Sequence, residues 1–310
     1  MTETKDKVYF ERRFLELGKF DSKVLGIDVG GQNIKAGWVR RGKISNFRRI
    51  PINPRNVISE ILKTISEYKP SPETIIGVDI PGFVSSGKVY NCPNLPTIKE
   101  INIQELLKKE TGCPVYVLND ANACILGEAL YGAGRGYSVV VGFTLGTGVG
   151  GALVVNGKIW AGARGYASEF GHHTIDPTGP ICHCGKRGCL ESYIGAYALM
   201  SRYKSLSGED ITVEELFKRA SRNEPHALKV VNEFGFYLGI GIRNIIAILD
   251  PDLVVLAGGI SKSGNLIIQS LQRNKPFVHL FPEEIEIKIA ELGDQAGPVG
   301  AATWAWMEHN

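Results

Sequence analysis

Shifted by 115 positions, the chain lays VLGIDVGGQNIKAGWVRRGKI (Val24 to Ile44) on VVVGFTLGTGVGGALVVNGKI (Val139 to Ile159) without a gap. Six of the 21 positions are identical: Val24, Gly31, Val39, Gly42, Lys43 and Ile44 each meet their own residue type. Both segments read as a buried strand, a glycine turn, a second strand and a tight turn. A chance likeness between two apolar hairpins is the plain alternative. The repeat predicts more: two related halves, each presenting a glycine turn between its first two strands, the turns facing each other across a cleft.

The rest of the chain alternates β-branched runs with helical periodicity, the signature of an α/β fold. Strands are expected at Val24 to Asp28, Thr74 to Ile80, Val115 to Leu118, Ser138 to Thr144, Leu253 to Ala257 and Ile285 to Ile289. Helices are expected from Val57 to Tyr68, Asn102 to Glu110, Ala121 to Tyr131, His226 to Leu249 and Pro298 to Glu308. At 310 residues, two domains are the natural expectation.

The turns themselves are Asp28-Val29-Gly30-Gly31-Gln32-Asn33-Ile34-Lys35 and Leu145-Gly146-Thr147-Gly148-Val149-Gly150-Gly151. Glycine permits positive φ and lets backbone N–H groups approach an anion, so a pair of such turns can hold a triphosphate tail. Glycine is 37 of the 310 residues, about 12%, with no collagen-like period, so the excess belongs to specific turns. Two familiar motifs fail on context. Gly146-x-Gly148-x-x-Gly151 is followed by a strand, where a dinucleotide fingerprint needs a helix. Gly37-x4-Gly42-Lys43 and Gly82-x4-Gly87-Lys88 lack the Ser or Thr of a P-loop, Ile44 and Val89 standing there.

Of six cysteines, Cys182, Cys184 and Cys189 fall within eight positions, with His172 ten residues upstream of the first. Three thiolates and an imidazole make a closed tetrahedral zinc site, which is structural rather than catalytic. His173 and His183 are rival ligands that spacing does not separate. Six cysteines are too few for a disulfide scaffold in a chain of 310 residues. No apolar run reaches the ~18 residues of a membrane span, and the N-terminus has no signal-peptide core. A soluble, cytoplasmic chain with reduced thiols is expected. The net charge of +3 offers no basic stripe for nucleic acid.

Taken together, these residues resemble the ROK family of sugar kinases, its glucokinase-like members in particular, within the hexokinase and actin-like ATPase superfamily. The likeness runs from Val24 to the C-terminus. Its most specific part is Glu169-Phe170-Gly171-His172 followed by CHCGKRGCLE, Cys182 to Glu191. The fold implied is α/β, a two-lobed actin-like ATPase (ribonuclease H-like) fold with a zinc-binding loop, residues 172–189, in the larger lobe. Residues 24–118 and the C-terminal helix 298–308 would form the smaller lobe and 119–295 the larger. Residues 1–23 are an extension with no assigned role.

The resemblance also implies roles. Asp120, whose plain alternative role is to cap the helix that follows it, would be the general base. Asn94, Asn119, Asp120, Glu169, His172 and Glu191 would bind the sugar, His172 being shared with zinc alongside Cys182, Cys184 and Cys189. Asp28, Gly30, Gly31, Gln32, Asn33 and Lys35 would form the first phosphate motif, and Gly146, Thr147 and Gly148 the second. Gly258 and Gly259 would belong to the adenosine motif. Asp28 would act near magnesium and its waters. Gln32 departs from the family's threonine, which leaves polyphosphate beside ATP as a donor to test. The implied reaction is ATP-dependent phosphorylation of a hexose, glucose at its 6-hydroxyl, by a homodimer or higher homo-oligomer. Fructose, mannose, allose, N-acetylglucosamine and N-acetylmannosamine are alternative substrates. A sugar-sensing regulator is the rival from another class, but the 23 residues before Val24 are too few for a helix-turn-helix domain.

Overall fold

Two five-stranded sheets carry the chain, and they are wound in the same order. The computed structural model describes residues 20–90, 92, 95, 97–274 and 284–310. In chain order the first part supplies β1 (Val24–Val29), β2 (Asn33–Arg40), β3 (Lys43–Pro51), helix α1 (Val57–Tyr68) and β4 (Ile76–Ile80). Three short strands follow, β5 (Val84–Ser85), β6 (Lys88–Val89) and β7 (Ile101–Asn102), then helix α2 (Ile103–Thr111), β8 (Val115–Asn119) and helix α3 (Asp120–Tyr131). The first large sheet has the order β3-β2-β1-β4-β8. Strand β1 runs antiparallel to β2 and parallel to β4, which is parallel to β8.

The second sheet is built from β9 (Val139–Leu145), β10 (Val149–Val155), β11 (Lys158–Ile159), β12 (Leu253–Ala257) and β13 (Glu286–Ile289), in the order β11-β10-β9-β12-β13. Strand β12 is parallel to both β9 and β13. The 115-residue repeat is thus a repeat of structure: β1 and β9 begin at Val24 and Val139, and β3 and β11 at Lys43 and Lys158. Its tight turns match as well. Arg41 and Gly42 have φ of 50° and 72°, and Asn156 and Gly157 have 51° and 72°. Two successive left-handed residues are what a type I′ hairpin requires, and they explain why this glycine recurs in both halves.

Contacts divide the chain into two compact units, one of residues up to Val139 with Ala152–Ala167 and Glu291–Asn310, the other of Val140–Gly151 and Ser168–Ala290. The sequence reading puts the first boundary at Leu118, 21 residues earlier. The difference is helix α3, which packs against the C-terminal helix Ala296–His309 within the first unit.

Strand alternation sorts the first sheet's residues between two faces. Leu25, Ile27, Val29, Ile76, Val78 and Ile80 are buried with Val57, Ile61 and Ile65 of α1 and Ile103 and Leu107 of α2. The opposite face receives the C-terminal helix at very close range. A Cβ on Gly26 would strike the Pro298 carbonyl, one on Gly77 that of Ala301, and one on Gly300 that of Ala123 in α3. These glycines, unaccounted for by any nucleotide motif, form the seam on which the helix sits. Asp28 and Asp79 continue that same face, two residues beyond Gly26 and Gly77. Among the described residues no helix is long and apolar enough to cross a membrane.

Candidate active site and metal centre

The first unit gathers three carboxyl groups. Asp28 is the penultimate residue of β1, Asp79 lies beside it in register on β4, and Asp120 follows β8 directly. Lys35 of β2 donates to Asp28 Oδ2 at 2.8 Å, so one carboxylate has a cationic partner. Gly297, near the start of the C-terminal helix, packs on Asp28: an added Cβ would lie 2.9 Å from Oδ2.

Asp120 has only partial hydrogen-bond support. Its Oδ1 accepts from the Ala121 N–H at 2.9 Å and from Asn119 Nδ2 at 3.0 Å. Burial first, and then the Asp28 charge, raise its pKa from 3.8 to about 6. The helix cap considered for Asp120 belongs to its neighbour. Asn119 is the N-cap, its Oδ1 accepting from the Asn122 N–H at 3.0 Å, and Asp120 is the first helical residue. The Asn119 amide also donates to the Gly82 carbonyl at 3.1 Å. Both of its donor hydrogens are therefore engaged, leaving one oxygen lone pair for a further contact.

Asp79 is a functional candidate that motif reading missed. It is completely buried, and no donor reaches either carboxyl oxygen, although once protonated it can donate to the Asp28 carboxylate. Burial, reinforced by Asp28 and Asp120, pushes its pKa well above the usual carboxylate range. The signal was present in the sequence: IGVDI, Ile76 to Ile80, places a charged residue inside an otherwise apolar buried strand. The three carboxyl groups form an all-oxygen donor set, which suits a hard cation such as magnesium.

The first glycine turn is closed by the Gly30 N–H donating to the Asn33 carbonyl at 2.9 Å, with Gln32 exposed at its tip. The second is closed by Gly146 N–H to the Gly148 carbonyl at 3.0 Å, with Thr147 exposed. None of Gly30, Gly31, Gly146 and Gly148 adopts the left-handed region, so the expectation of positive φ there is corrected. At Gly148 the requirement is space. A Cβ there would collide with Glu191 Oε2, the atom that accepts the Val149 N–H at 2.9 Å. Gly258 does take positive φ, 91°, and packs without a side chain against Leu145 at the end of β9. The second phosphate turn and the expected adenosine motif therefore adjoin within the second unit.

The cysteine cluster lies in the same unit. His172, Cys182, Cys184 and Cys189 bring their donor atoms within 4.8 Å of one another. Cys184 Sγ is 3.6 Å from Cys189 Sγ, and Cys182 Sγ is 3.7 Å from His172 Nδ1. A tetrahedral zinc with ~2.3 Å bonds to sulfur needs donor separations of ~3.8 Å, so the set fits the ion. The rival histidines are excluded by placement. His173 is turned to the Phe170 carbonyl, and His183 is exposed with its ring against Tyr197.

The metal loop is fastened to the second glycine turn at both ends. Gly171, before His172, packs so closely on Val149 that a Cβ would collide with the Val149 carbonyl. Glu191, two residues after Cys189, holds the Val149 N–H, and its Oε1 is 3.5 Å from Cys182 Sγ. Glu169 accepts the His172 N–H on its backbone carbonyl at 3.0 Å. Asn94 lies outside the described residues.

Two like-wound sheets, each opening on a glycine turn at its first hairpin, are the actin-like ATPase fold. A glucokinase from Streptomyces griseus, solved with glucose and AMPPNP, superposes with a TM-score of 0.83 at 27% identity, covering 92% of this chain and 100% of that one. A hexokinase from Thermus thermophilus gives 0.80 at 30% identity, over 93% and 99% of the two chains. A glucokinase from Thermotoga maritima is 33% identical over 91% of this chain and 96% of its own length. The ROK family model matches residues 24–308. The chain belongs to the ROK family.

Proposed function

We propose that the protein transfers the γ-phosphoryl group of ATP to a hexose, glucose at its 6-hydroxyl, with Asp120 as general base. The observation that carries this reading is the state of Asp120. A carboxylate with a pKa of about 6 is ionised at neutral pH yet basic enough to take a hydroxyl proton as the oxygen attacks phosphorus. It is also held in one place, between the Ala121 N–H and the Asn119 amide.

Glu169, His172 and Glu191 are assigned to the sugar hydroxyls, since carboxylates and an imidazole can each accept or bridge them. The glycine turns are assigned to the phosphates and Gly258 and Gly259 to the adenosine. Magnesium supplies neutralisation of the phosphate charge, and Asp28 is the residue assigned to hold it. His172, Cys182, Cys184 and Cys189 would hold a structural zinc, and that ligation would fix His172 for the sugar. The glucokinases similar over nearly the whole chain support glucose as the substrate.

The test is ADP release in a coupled assay across a panel of hexoses and a no-sugar control, with polyphosphate as an alternative donor because Gln32 stands where threonine is usual. Glucose-dependent release from ATP is the expected result. Release that ignores sugar, or no turnover with any hexose and either donor, overturns the proposal.

A further inference from the structure

Asp79 is fully buried, and no donor reaches either carboxyl oxygen. Each protonation state then depends on Asp28. An ionised Asp79 is a buried charge beside a second carboxylate, and a protonated one can donate only toward Asp28, whose charge Lys35 already shares. The strand around it is apolar, so a valine would pack there without either penalty.

The surroundings say what kind of partner is missing. The groups acting on Asp79 are Asp28, its register neighbour on β1, Asp120 and Lys35. Lys35 is already bonded to Asp28 Oδ2. With all three ionised, three carboxyl groups share one ammonium, and the deficit is of positive charge. A water molecule would meet the hydrogen-bonding need and leave the charge uncompensated. A hard divalent cation meets both, and magnesium commonly takes one or two protein carboxylates while keeping several waters.

We propose that Asp28 and Asp79, side by side on parallel strands, together hold a divalent cation, so that this chain binds the ion before any nucleotide arrives. This deepens the kinase reading, on which it rests only for the use made of the ion.

The experiment is a Mn²⁺ titration of the zinc-loaded full chain, followed by electron paramagnetic resonance, with neither sugar nor nucleotide present. Wild type is expected to bind one Mn²⁺ per chain, and Asp79→Asn to bind it at least tenfold more weakly. Asp79→Ala serves as the second variant, with circular dichroism to confirm the fold of each. Wild type that binds no Mn²⁺ would leave Asp79 protonated against Asp28 and overturn the proposal. Variants that bind as tightly as wild type would overturn it equally. Since no substrate is in the tube, failure of the kinase reading leaves this result untouched, and the reverse holds as well.

Discussion

Asn119 Nδ2 donates to Asp120 Oδ1 over 3.0 Å, while the oxygen of the same amide caps helix α3 through the Asn122 N–H. One side chain thus ends the strand, starts the helix and supports the proposed base. Asn119→Asp keeps an acceptor for the cap but loses the donor and adds a negative charge. Its acid limb in kcat/KM should therefore move to higher pH with little change in stability. Asn119→Ala should make the same shift and also lose on the order of 1 kcal/mol in a urea melt, the usual worth of an N-cap. An acid limb that stays in place in both variants would separate Asn119 from the base.

Asp120 makes the opposite demands on activity and stability. Activity should fall as pH drops through about 6, where the base becomes protonated. For stability the sign reverses. The folded pKa lies above the ordinary value of 3.8, so the folded state binds more protons between those two values. The group's contribution is fully present below pH ~4 and is lost as pH rises through 6. Asp28, Asp79, Lys35 and Cys124 are the ionisable neighbours that share this environment. Asp120→Asn should lower turnover at least 10²-fold. It should also raise stability at pH 7.5, by at most about 3 kcal/mol, with no gain at pH 4. Turnover near wild type, or a variant less stable at pH 7.5, would contradict this.

Much of this was legible in the sequence because it depends on local pattern. The repeat gave two sheets of one winding, the Cys and His spacing gave the metal cluster, and Asn119-Asp120 stands at a strand end as the pattern predicts. What escaped depends on contacts between distant residues. Nothing around Gly26 or Gly77 announces that the C-terminal helix will lie against them at such close range. Asp79 was hidden differently, since no phosphate or sugar motif includes it, and only its apolar neighbours in β4 mark it as unusual. Glycine's freedom of φ is used at Gly42 and Gly157 in the tight turns and at Gly258, not at Gly30, Gly31, Gly146 or Gly148.

The Glu191 contact predicts a separation of substrate effects. Gly148→Ala places a methyl group where Glu191 Oε2 lies, and a flexible carboxylate can move aside without unfolding the protein. The Val149 N–H then loses its acceptor and the second turn its brace. The expected result is a KM for ATP raised about tenfold, the worth of one charge-assisted hydrogen bond. Glu191→Gln still offers an oxygen to Val149 and should disturb ATP less and sugar more. Equal effects on both substrates in both variants would count against a bracing role for Glu191.

Metal removal should act first on the loop and through it on both substrates. The segment between His172 and Cys189 is largely exposed at Cys184, Lys186 and Arg187, with little apolar surface to hold it closed. Isolated bridges pair Thr174 with Cys189 and Ile181 with Arg187, so what order it has is centred on the ligands. Zinc binding contributes on the order of 10 kcal/mol in small structural sites, far more than these bridges can replace. Chelation, or Cys184→Ser, should therefore expose Lys186 and Arg187 to trypsin while leaving the first unit's α1, α2 and sheet resistant. Because Gly171 and Glu191 flank the loop and both touch Val149, the KM for sugar and for ATP should rise together. Trypsin resistance equal to the zinc-loaded protein, with metal analysis confirming its loss, would mean that the loop is held by the chain alone.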